Sequence, residues 1–243
     1  MSSERTGKKV AIVGFAESWK SAPFADDAVE IWALNEFWKY APRWSRWFEL
    51  HDAETLGVTT RDLSEGEQKR HLDWLSQAHD GGRPIYMQPQ FCDGRFPNAT
   101  PYPLDRMVAR FGRYFTSTIG YMLALAIDEG YSWIGLYGVD LASHQEYPYQ
   151  RPNAEYLIGM ARGLGIEVEV AAHSAILRSN FLYGYEQEPT AHPLVAFARD
   201  QIGKLKQEHE KHLVTANTID GAMQAYQNLI AAADFSARGA KVA

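Results

Sequence analysis

The residues best suited to chemistry lie between Ser143 and Asn153, where two tyrosines, an arginine and a histidine occur close together. Tyrosine hydroxyls and a guanidinium donate hydrogen bonds that suit a phosphate leaving group. Tyr147, Tyr149 and Arg151 are therefore the predicted catalytic donors of this segment. His144 is the predicted general base, because an imidazole titrates near physiological pH. A surface histidine without a catalytic role is the alternative for His144.

Two other stretches have the composition of an anion site. Val10 to Val13 reads as a buried parallel strand, Gly14 then allows a tight turn, and Ser18 can cap the next helical turn. Thr116-Ser117-Thr118 opens an apolar helix, and the free N–H groups of a helix start suit an anion. Ordinary turn formation at Gly14 and simple helix capping at Thr116 to Thr118 are the alternatives.

A third position of interest follows the apolar segment Trp133 to Val139, which stops at Gly138 just before Asp140. The Asp140 carboxylate could bind a ribose hydroxyl or a metal ion, or it could cap the loop after the strand. Parallel strands that end in Gly14 and Gly138 would bring these groups to one edge of a sheet. The sequence therefore predicts a ligand crevice at the carboxyl edge of that sheet.

Several common enzyme signatures are absent from the sequence. Gly14 is not followed by the Gly-Lys-Ser/Thr of a phosphate-binding loop, and the second and third glycines of a dinucleotide fingerprint are missing. The sequence has no nucleophile-elbow motif, and its eight histidines lack metal-ligand spacing. These absences disfavour P-loop ATP hydrolysis, NAD-linked redox chemistry and acyl-enzyme chemistry, and no metal or tightly bound cofactor is predicted.

The elements that must position these residues alternate between strands and helices, which predicts an α/β Rossmann-like fold with a mostly parallel sheet and helices on both faces. The last helix of this part should begin at Pro152. Residues 88–103, with four prolines, should form a long loop that acts as a lid or as ordered surface. The predicted strands cover residues 9–13, 30–35, 46–51, 84–87, 132–139 and 166–170.

The composition changes after Pro189, where two amphipathic helices with charged outer faces are predicted at 191–213 and 216–235. They suggest a helical hairpin, packed on the body or on a second subunit. Residues 1–188 are therefore predicted to form the Rossmann-like transferase domain, and 189–243 the hairpin. The length of the apolar stripe favours a homo-oligomer joined through the hairpin.

The overall composition limits the classes of partner. The net charge of −6 argues against general coating of nucleic acid, although a local basic groove is compatible with it. The single cysteine, Cys92, excludes an internal disulfide. No apolar run approaches the ~20 residues of a membrane span, and the polar N-terminal stretch lacks a signal-peptide core. A cytoplasmic protein with no membrane partner is the expectation.

Taken together, the motifs resemble a known group of proteins. Four motifs follow one another along the chain. They are a strand followed by Gly-x-x-x-Ser, a strand ending in Asn35 and an aromatic, Thr-Ser-x-x-x-Tyr-x-x-x-Leu-Ala-x-x-x-Gly, and Tyr-Gly-Val-Asp. This order resembles the nucleotide-binding core of CMP-sialic-acid sialyltransferases and of 6-hydroxymethylpterin diphosphokinase-like proteins. The likeness is greatest to short phage and prophage proteins with Ala-Ile-Val-Gly-Phe-Ala near their start.

The resemblance implies roles for individual residues. The first glycine loop, the end of the second strand, the helix start and the Gly138 strand end would hold the nucleotide. Two tyrosines ahead of a helix would bind phosphate, and Tyr147 and Tyr149 fit this role by their position in the sequence. A histidine would act as base. The nucleotide-binding set implied is Gly14, Phe15, Ala16, Ser18, Asn35, Glu36, Thr116, Ser117, Gly138 and Asp140.

The predicted function is a transferase with a nucleotide-activated donor as substrate, a glycosyltransferase in the first instance. If the protein is phage-encoded, a modified DNA base is one candidate acceptor. A glycan or a small molecule is the other candidate. Diphosphokinase-like transfer of pyrophosphate is an alternative enzyme. A nucleotide-binding sensor or sequestering protein without turnover is the alternative outside the enzymes.

Overall fold

The computed structural model describes residues 7–52, 65–141, 147–172, 174–179, 181–186 and 193–239. Seven strands form one all-parallel sheet in the order β5-β4-β3-β2-β1-β6-β7. The strand order reverses between β1 and β6, which makes this pair the switch point of the sheet. The predicted α/β fold with a parallel sheet is confirmed. The strands are β1 (Lys9–Val13), β2 (Val29–Leu34), β3 (Arg46–Phe48), β4 (Ile85–Met87), β5 (Ala99–Pro101), β6 (Trp133–Tyr137) and β7 (Glu167–Val170).

Both faces of the sheet are covered, because alternate side chains of each strand point to opposite faces. On one face Ile12 joins the core of three helices, α2 (Leu104–Phe111), α3 (Thr118–Asp128) and α4 (Tyr147–Gly163). On the other face Val13 packs with Phe37, which lies in the 3-10 turn Asn35–Lys39, and with Leu75 at the end of helix α1 (Glu65–Leu75). Helix α3 is apolar almost all round and is buried along most of its length, as its sequence predicts.

Several element boundaries differ from the sequence prediction. Strand β3 ends at Phe48 rather than at residue 51, and β6 ends at Tyr137 rather than at residue 139. The long loop 88–103 contains a 3-10 turn, Pro89–Phe91, and the short strand β5. A three-residue strand ending in Pro101 is tolerated at the edge of a sheet, because no further strand needs its missing N–H. Helix α4 begins at Tyr147 rather than at Pro152, so the polar and aromatic segment forms its first turns.

The amino end of β3 carries a partly buried cluster around Arg46. Its guanidinium donates to Glu30 at 3.1 Å and to Glu129 at 2.8 Å, and it lies over the Trp32 ring. The hydroxyls of Tyr86 and Tyr131 accept its remaining hydrogen bonds at 3.3 and 3.1 Å. Burial alone would lower the pKa of Arg46, but these partners raise it, so the cluster is a set of mutually satisfied charges.

The chain divides into two compact units, residues 1–179 and 180–243. In the second unit the predicted hairpin is wrong: one continuous helix, α5, runs from Pro193 to Gly239. The chain around Val214 and Thr215 contains neither glycine nor proline, and the Thr215 hydroxyl donates back to the Lys211 carbonyl within the helix. None of the described helices is long and apolar enough to cross a membrane.

Candidate functional site

The carboxyl edge of the sheet collects the ends of three neighbouring strands and the starts of two helices. Gly14 follows β1, Asn35 follows β2, and Gly138 follows β6. Helices α3 and α4 each lead into a parallel strand, so each begins at this same edge. The predicted nucleotide residues and the described part of the predicted catalytic segment, from residue 147 onward, are thus brought to one edge, across the switch point.

Gly14 and Gly138 cross in direct contact. A Cβ built on Gly14 would lie 2.5 Å from the Gly138 carbonyl oxygen, and a Cβ on Gly138 would overlap the Gly14 carbonyl. The N–H of Gly14 donates to Tyr137, and the N–H of Ala16 donates to Gly138, at 2.8 and 2.9 Å. Both glycines are therefore required by backbone packing between the two turns, whatever ligand lies above them.

Ser18 has a different role from the predicted one. It lies inside the 3-10 turn Glu17–Ser21, whose N-cap is Ala16, so it does not cap that turn. Its hydroxyl accepts a hydrogen bond of 2.9 Å from the Gly138 N–H. Ser18 therefore fastens the first turn to the strand end after β6.

Unpaired oxygens mark this edge. Among the residues that the structure describes, four buried side-chain oxygens have no hydrogen-bond partner: Asn35 Oδ1, Glu36 Oε1, Asp140 Oδ1 and Asn153 Oδ1. Three of them belong to residues just after β2 or β6, and the fourth lies in the second turn of α4. A buried acceptor left unpaired costs about 1–3 kcal/mol. Acceptors that remain unpaired in the free protein suit a ligand that brings hydroxyl or amino groups.

Asn35 is held in the left-handed region, with φ of 49°. Its carbonyl accepts a 3.1 Å hydrogen bond from the Trp47 indole, which fixes the backbone there. Asparagine tolerates this conformation better than most residues. Phe15, which follows β1 and is half-exposed, packs edge-on against Phe37 after β2, with 5.6 Å between the two ring centroids.

The start of α3 agrees with capping by one of its three hydroxyl residues. Ser117 is the N-cap, and its hydroxyl accepts a 3.3 Å hydrogen bond from the Gly120 N–H. Thr116 is exposed just before it. Gly120, three residues after Ser117, lies against Asn153 of α4, and any Cβ at Gly120 would overlap the Asn153 amide oxygen. The Asn153 amide donates to the Tyr114 carbonyl at 2.5 Å, so Asn153 joins the starts of α3 and α4.

The predicted catalytic segment divides into described and undescribed parts. His144 lies outside the described residues, and for Tyr147 only the helical backbone is described. Tyr149 is 76% exposed in the first turn of α4. Arg151 instead pairs with Glu155 at 2.7 Å and donates to the Arg178 carbonyl at 3.0 Å. Its guanidinium is therefore already engaged within the fold.

A hydrogen-bonded chain of side chains at the carboxyl end of β3 was not predicted from the sequence. Glu49 is fully buried, and its two oxygens lie 2.7 Å from His51 Nδ1 and from His71 Nε2. The Trp38 indole donates to His71 Nδ1 at 3.0 Å. His71 Nδ1 therefore carries no proton, and His71 donates through Nε2 to Glu49. His51 likewise donates to Glu49 through Nδ1, which directs the lone pair of a neutral ring to Nε2.

Burial by itself would raise the pKa of Glu49, but the hydrogen bonds that His51 and His71 donate to it lower it to about 2. The carboxylate is therefore ionised at neutral pH. The available signal in the sequence was a glutamate two residues after the buried Trp47, on the same face of the predicted strand 46–51. Its histidine partner on α1 is far away along the chain, and only the folded structure joins them. No group of three or more metal-ligating side chains occurs among the described residues.

No family model matches the sequence, and no curated protein matches it. Solved structures that match include sialyltransferases of Campylobacter jejuni. CstII in complex with the substrate analogue CMP-3FNeuAc is 17% identical, with 79% of this chain and 99% of that chain covered and a TM-score of 0.47. The monofunctional α-2,3-sialyltransferase Cst-I is 15% identical, with 85% and 98% covered and a TM-score of 0.47.

A third match, CST-II in complex with a trisaccharide acceptor and CMP, is 17% identical, with 76% of this chain and 96% of that chain covered and a TM-score of 0.43. The sialyltransferases named by these structures are the group that the sequence motifs resemble.

Proposed function

We propose that this protein is a transferase that takes a nucleotide sugar as its donor. The observation that supports this most is the group of unpaired buried oxygens on Asn35, Glu36 and Asp140, all after strands at or beside the switch point. Ligands of open parallel sheets bind in the crevice at that point. A nucleoside and its sugar present several hydroxyl groups, and the common bases add amino groups, so such a donor supplies the missing hydrogen-bond donors.

The donor phosphate belongs, in this proposal, at the start of α3. The first N–H groups of a helix have no partner within it and attract anions. Thr116 is exposed beside this helix start, and Ser117 keeps the first turn in shape through its cap. The Gly14–Gly138 crossing and Ala16 would form the base of the crevice between the phosphate and the nucleoside oxygens.

The proposed reaction joins the donor sugar to an acceptor hydroxyl. The acceptor oxygen attacks the anomeric carbon, the bond from that carbon to the phosphate oxygen breaks, and the nucleoside phosphate leaves with the electron pair. Tyr149, exposed in the first turn of α4, donates to the leaving phosphate, with Tyr147 beside it in sequence. Because Arg151 is engaged by Glu155, its role is to hold the start of α4.

The proton of the acceptor hydroxyl needs a base, and two histidines are proposed for it. His144 is the sequence-based choice. His51 is the choice supported by geometry, because Glu49 fixes its Nδ1 proton and orients its ring, as a carboxylate does for the histidine of a catalytic dyad. In this proposal His51 Nε2 takes the proton, while Glu49, His71 and Trp38 act as positioning residues.

The acceptor class is proposed from chemistry alone. Oligosaccharides and small molecules with free hydroxyls come first, and a hydroxylated DNA base in a phage setting is the further possibility to test. Arg106 and Arg110 of α2 are exposed, but both already pair with Asp128. The homo-oligomer, predicted for the C-terminal part, is proposed as well, through α5.

Binding tests the donor half of the proposal. Calorimetry against CMP, UMP, GMP, AMP and their sugar conjugates should give one preferred nucleotide. Asp140→Asn should weaken its affinity about tenfold, equivalent to about 1.4 kcal/mol, because an acceptor oxygen becomes an N–H donor. Asp27→Asn is the matched control, since Asp27 is exposed just before β2, at the opposite edge of the sheet. Equal affinities for both variants would reject the site.

Turnover tests the enzymatic half, with release of the nucleoside monophosphate as the readout. His51→Gln should lower kcat by about a hundredfold to ten-thousandfold with little change in donor affinity, because a base acts only in the chemical step. His144→Ala assigns the base to His144 if it shows that loss and His51→Gln does not. Tight nucleotide binding without turnover of any donor would identify a sensor. AMP release from ATP with a pterin acceptor would identify a diphosphokinase.

A further inference from the structure

Helix α5 is long and exposes a regular apolar stripe. Its 47 residues span about 70 Å, and the described side chains along it are almost all exposed. The apolar members repeat at alternating steps of three and four residues, which is a period of 3.5. The members of this seam with large exposed apolar side chains are Ile202, Leu205, Ile219, Met223, Tyr226 and Ile230.

The middle of the seam keeps the same phase. Between Leu205 and Ile219 the seam positions hold His209, His212 and Ala216, and the apolar positions on either side are two heptads apart, so they stay in phase. Gly203 and Gly221 lie outside the seam, on the polar side of the helix. A seven-residue repeat that stays in phase over four heptads is typical of a coiled coil, whereas a helix that packs on a globular core follows a period of 3.6. Interior glycines also weaken a helix that stands alone.

We propose that α5 forms an antiparallel two-stranded coiled coil with α5 of a second copy of this chain. This interface deepens the proposed homo-oligomer and does not depend on the proposed chemistry. A seam of this kind buries each apolar side chain between four residues of a facing helix. A second copy supplies a facing helix with the same repeat and the same length, which no segment of different period would match.

Charge and volume favour the antiparallel arrangement. Lys206, Leu213 and Asp220 each directly follow a seam residue and so flank the seam on one side. When two antiparallel helices are centred on residue 214, Lys206 of each copy faces Asp220 of the other. The two Leu213 side chains meet between these two charge pairs. In a parallel pair the flanking positions would bring Lys206 against Gln201 and Asp220 against Thr215, so no opposite charges would meet. The antiparallel register therefore pairs the charges that flank the seam.

The histidine positions agree with the same register. His209 of one copy meets Ile219 of the other. His212 meets Ala216, so in that layer the histidine ring lies opposite a small side chain. A parallel pair would stack His209 on His209 and His212 on His212 in successive layers. The antiparallel register avoids both of these contacts between identical side chains.

The first experiment tests the seam by sedimentation with the full chain, whose mass is 27.4 kDa. The wild type should sediment at twice that mass at micromolar concentration. Ile219→Lys should raise the dimer dissociation constant at least a hundredfold, because two lysines enter the seam. Val214→Lys is the matched control: it is equally exposed and β-branched on the same helix, but off the seam. A monomeric wild type, or equal effects of both variants, would overturn the proposal.

The second experiment tests the orientation with single cysteines in a Cys92→Ser background. Oxidised Leu213→Cys should form a covalent dimer, since the two side chains meet at the centre. Ile219→Cys should not, because its two copies would be about 15 Å apart along the axis, beyond the reach of a disulfide. The reverse result would overturn the antiparallel register. Neither readout involves donor binding or turnover, so failure here leaves the proposed function untouched.

Discussion

Strand β3 has a charged cluster at each end, and the two clusters are built for different purposes. At the amino end, Arg46 donates to two carboxylates and two phenols and lies on Trp32. At the carboxyl end, Glu49 holds His51 and His71, and the neighbouring strand end carries the unpaired oxygens of Asn35 and Glu36. Both clusters belong to the same sheet, but among the described residues only the second is next to buried polar atoms without a hydrogen-bond partner.

The difference separates structural polar groups from those available to a ligand. A cluster whose partners all come from the fold contributes stability and nothing to recognition. An edge that leaves buried acceptors unpaired sacrifices some stability in the free protein and regains it when a ligand supplies donors. Substitutions at the amino end should therefore change stability alone, and those at the carboxyl edge should change binding or turnover.

The largest effect is expected from Arg46→Met at the amino end. Removing the guanidinium leaves Glu30 and Glu129 without their common partner, so the free energy of unfolding should fall by about 3–5 kcal/mol in urea denaturation. Arg95→Met is the control, because its pair with Asp93 is half-exposed and should matter by under about 1 kcal/mol. A large loss of nucleotide affinity in folded Arg46→Met would break the comparison.

The carboxyl cluster should make stability depend on acid. The pKa of Glu49 is lowered from 4.5 to about 2 in the folded protein. Its contribution is therefore fully present above pH 4.5 and is lost as the pH falls toward 2, on the order of 3 kcal/mol in total. Glu49→Gln should remove this part of the pH dependence, measured by denaturation between pH 2 and 6. An unchanged pH slope in the variant would show that Glu49 is not ionised in the fold.

Tyr149→Phe addresses turnover at the start of α4. A hydroxyl that meets charge on the leaving phosphate acts mainly in the transition state, so kcat should fall by roughly tenfold to a thousandfold while donor affinity changes little. Tyr156→Phe, half-exposed two turns further along the same helix, should keep wild-type kcat. Equal kcat values for the two variants would leave the first turn of α4 without a catalytic role.

The smallest effect is expected from Gly14→Ala. A methyl group at this position would press on the Gly138 carbonyl, and the forced adjustment should cost about 1–3 kcal/mol of unfolding free energy. Gly66→Ala in α1 is the control, because nothing lies within 4 Å of its added carbon and alanine favours a helix. If Gly14→Ala kept full stability and lost nucleotide affinity, the crossing would serve the ligand rather than the fold.

The sequence by itself determined the parallel α/β sheet, the buried helix α3 and the strand ends that carry Gly14, Asn35 and Asp140. Each of these follows from local periodicity, from glycine or from capping residues a few positions apart. The sequence also contained the heptad repeat of α5, but a hairpin was predicted because its two halves read as separate amphipathic segments. One uninterrupted backbone through Val214 and Thr215 decided otherwise.

Only the tertiary structure decided which of these groups already have partners. Ser18 was predicted as a helix cap, yet its hydroxyl is taken by Gly138, more than a hundred residues away. Arg151 is held by Glu155, and Glu49 meets His71 of another element. Hydrogen bonds between distant segments depend on how the elements pack. Local patterns in the sequence do not report that packing. The unpaired oxygens of Asn35, Glu36 and Asp140 became visible for the same reason, since an atom is unpaired only relative to everything folded around it.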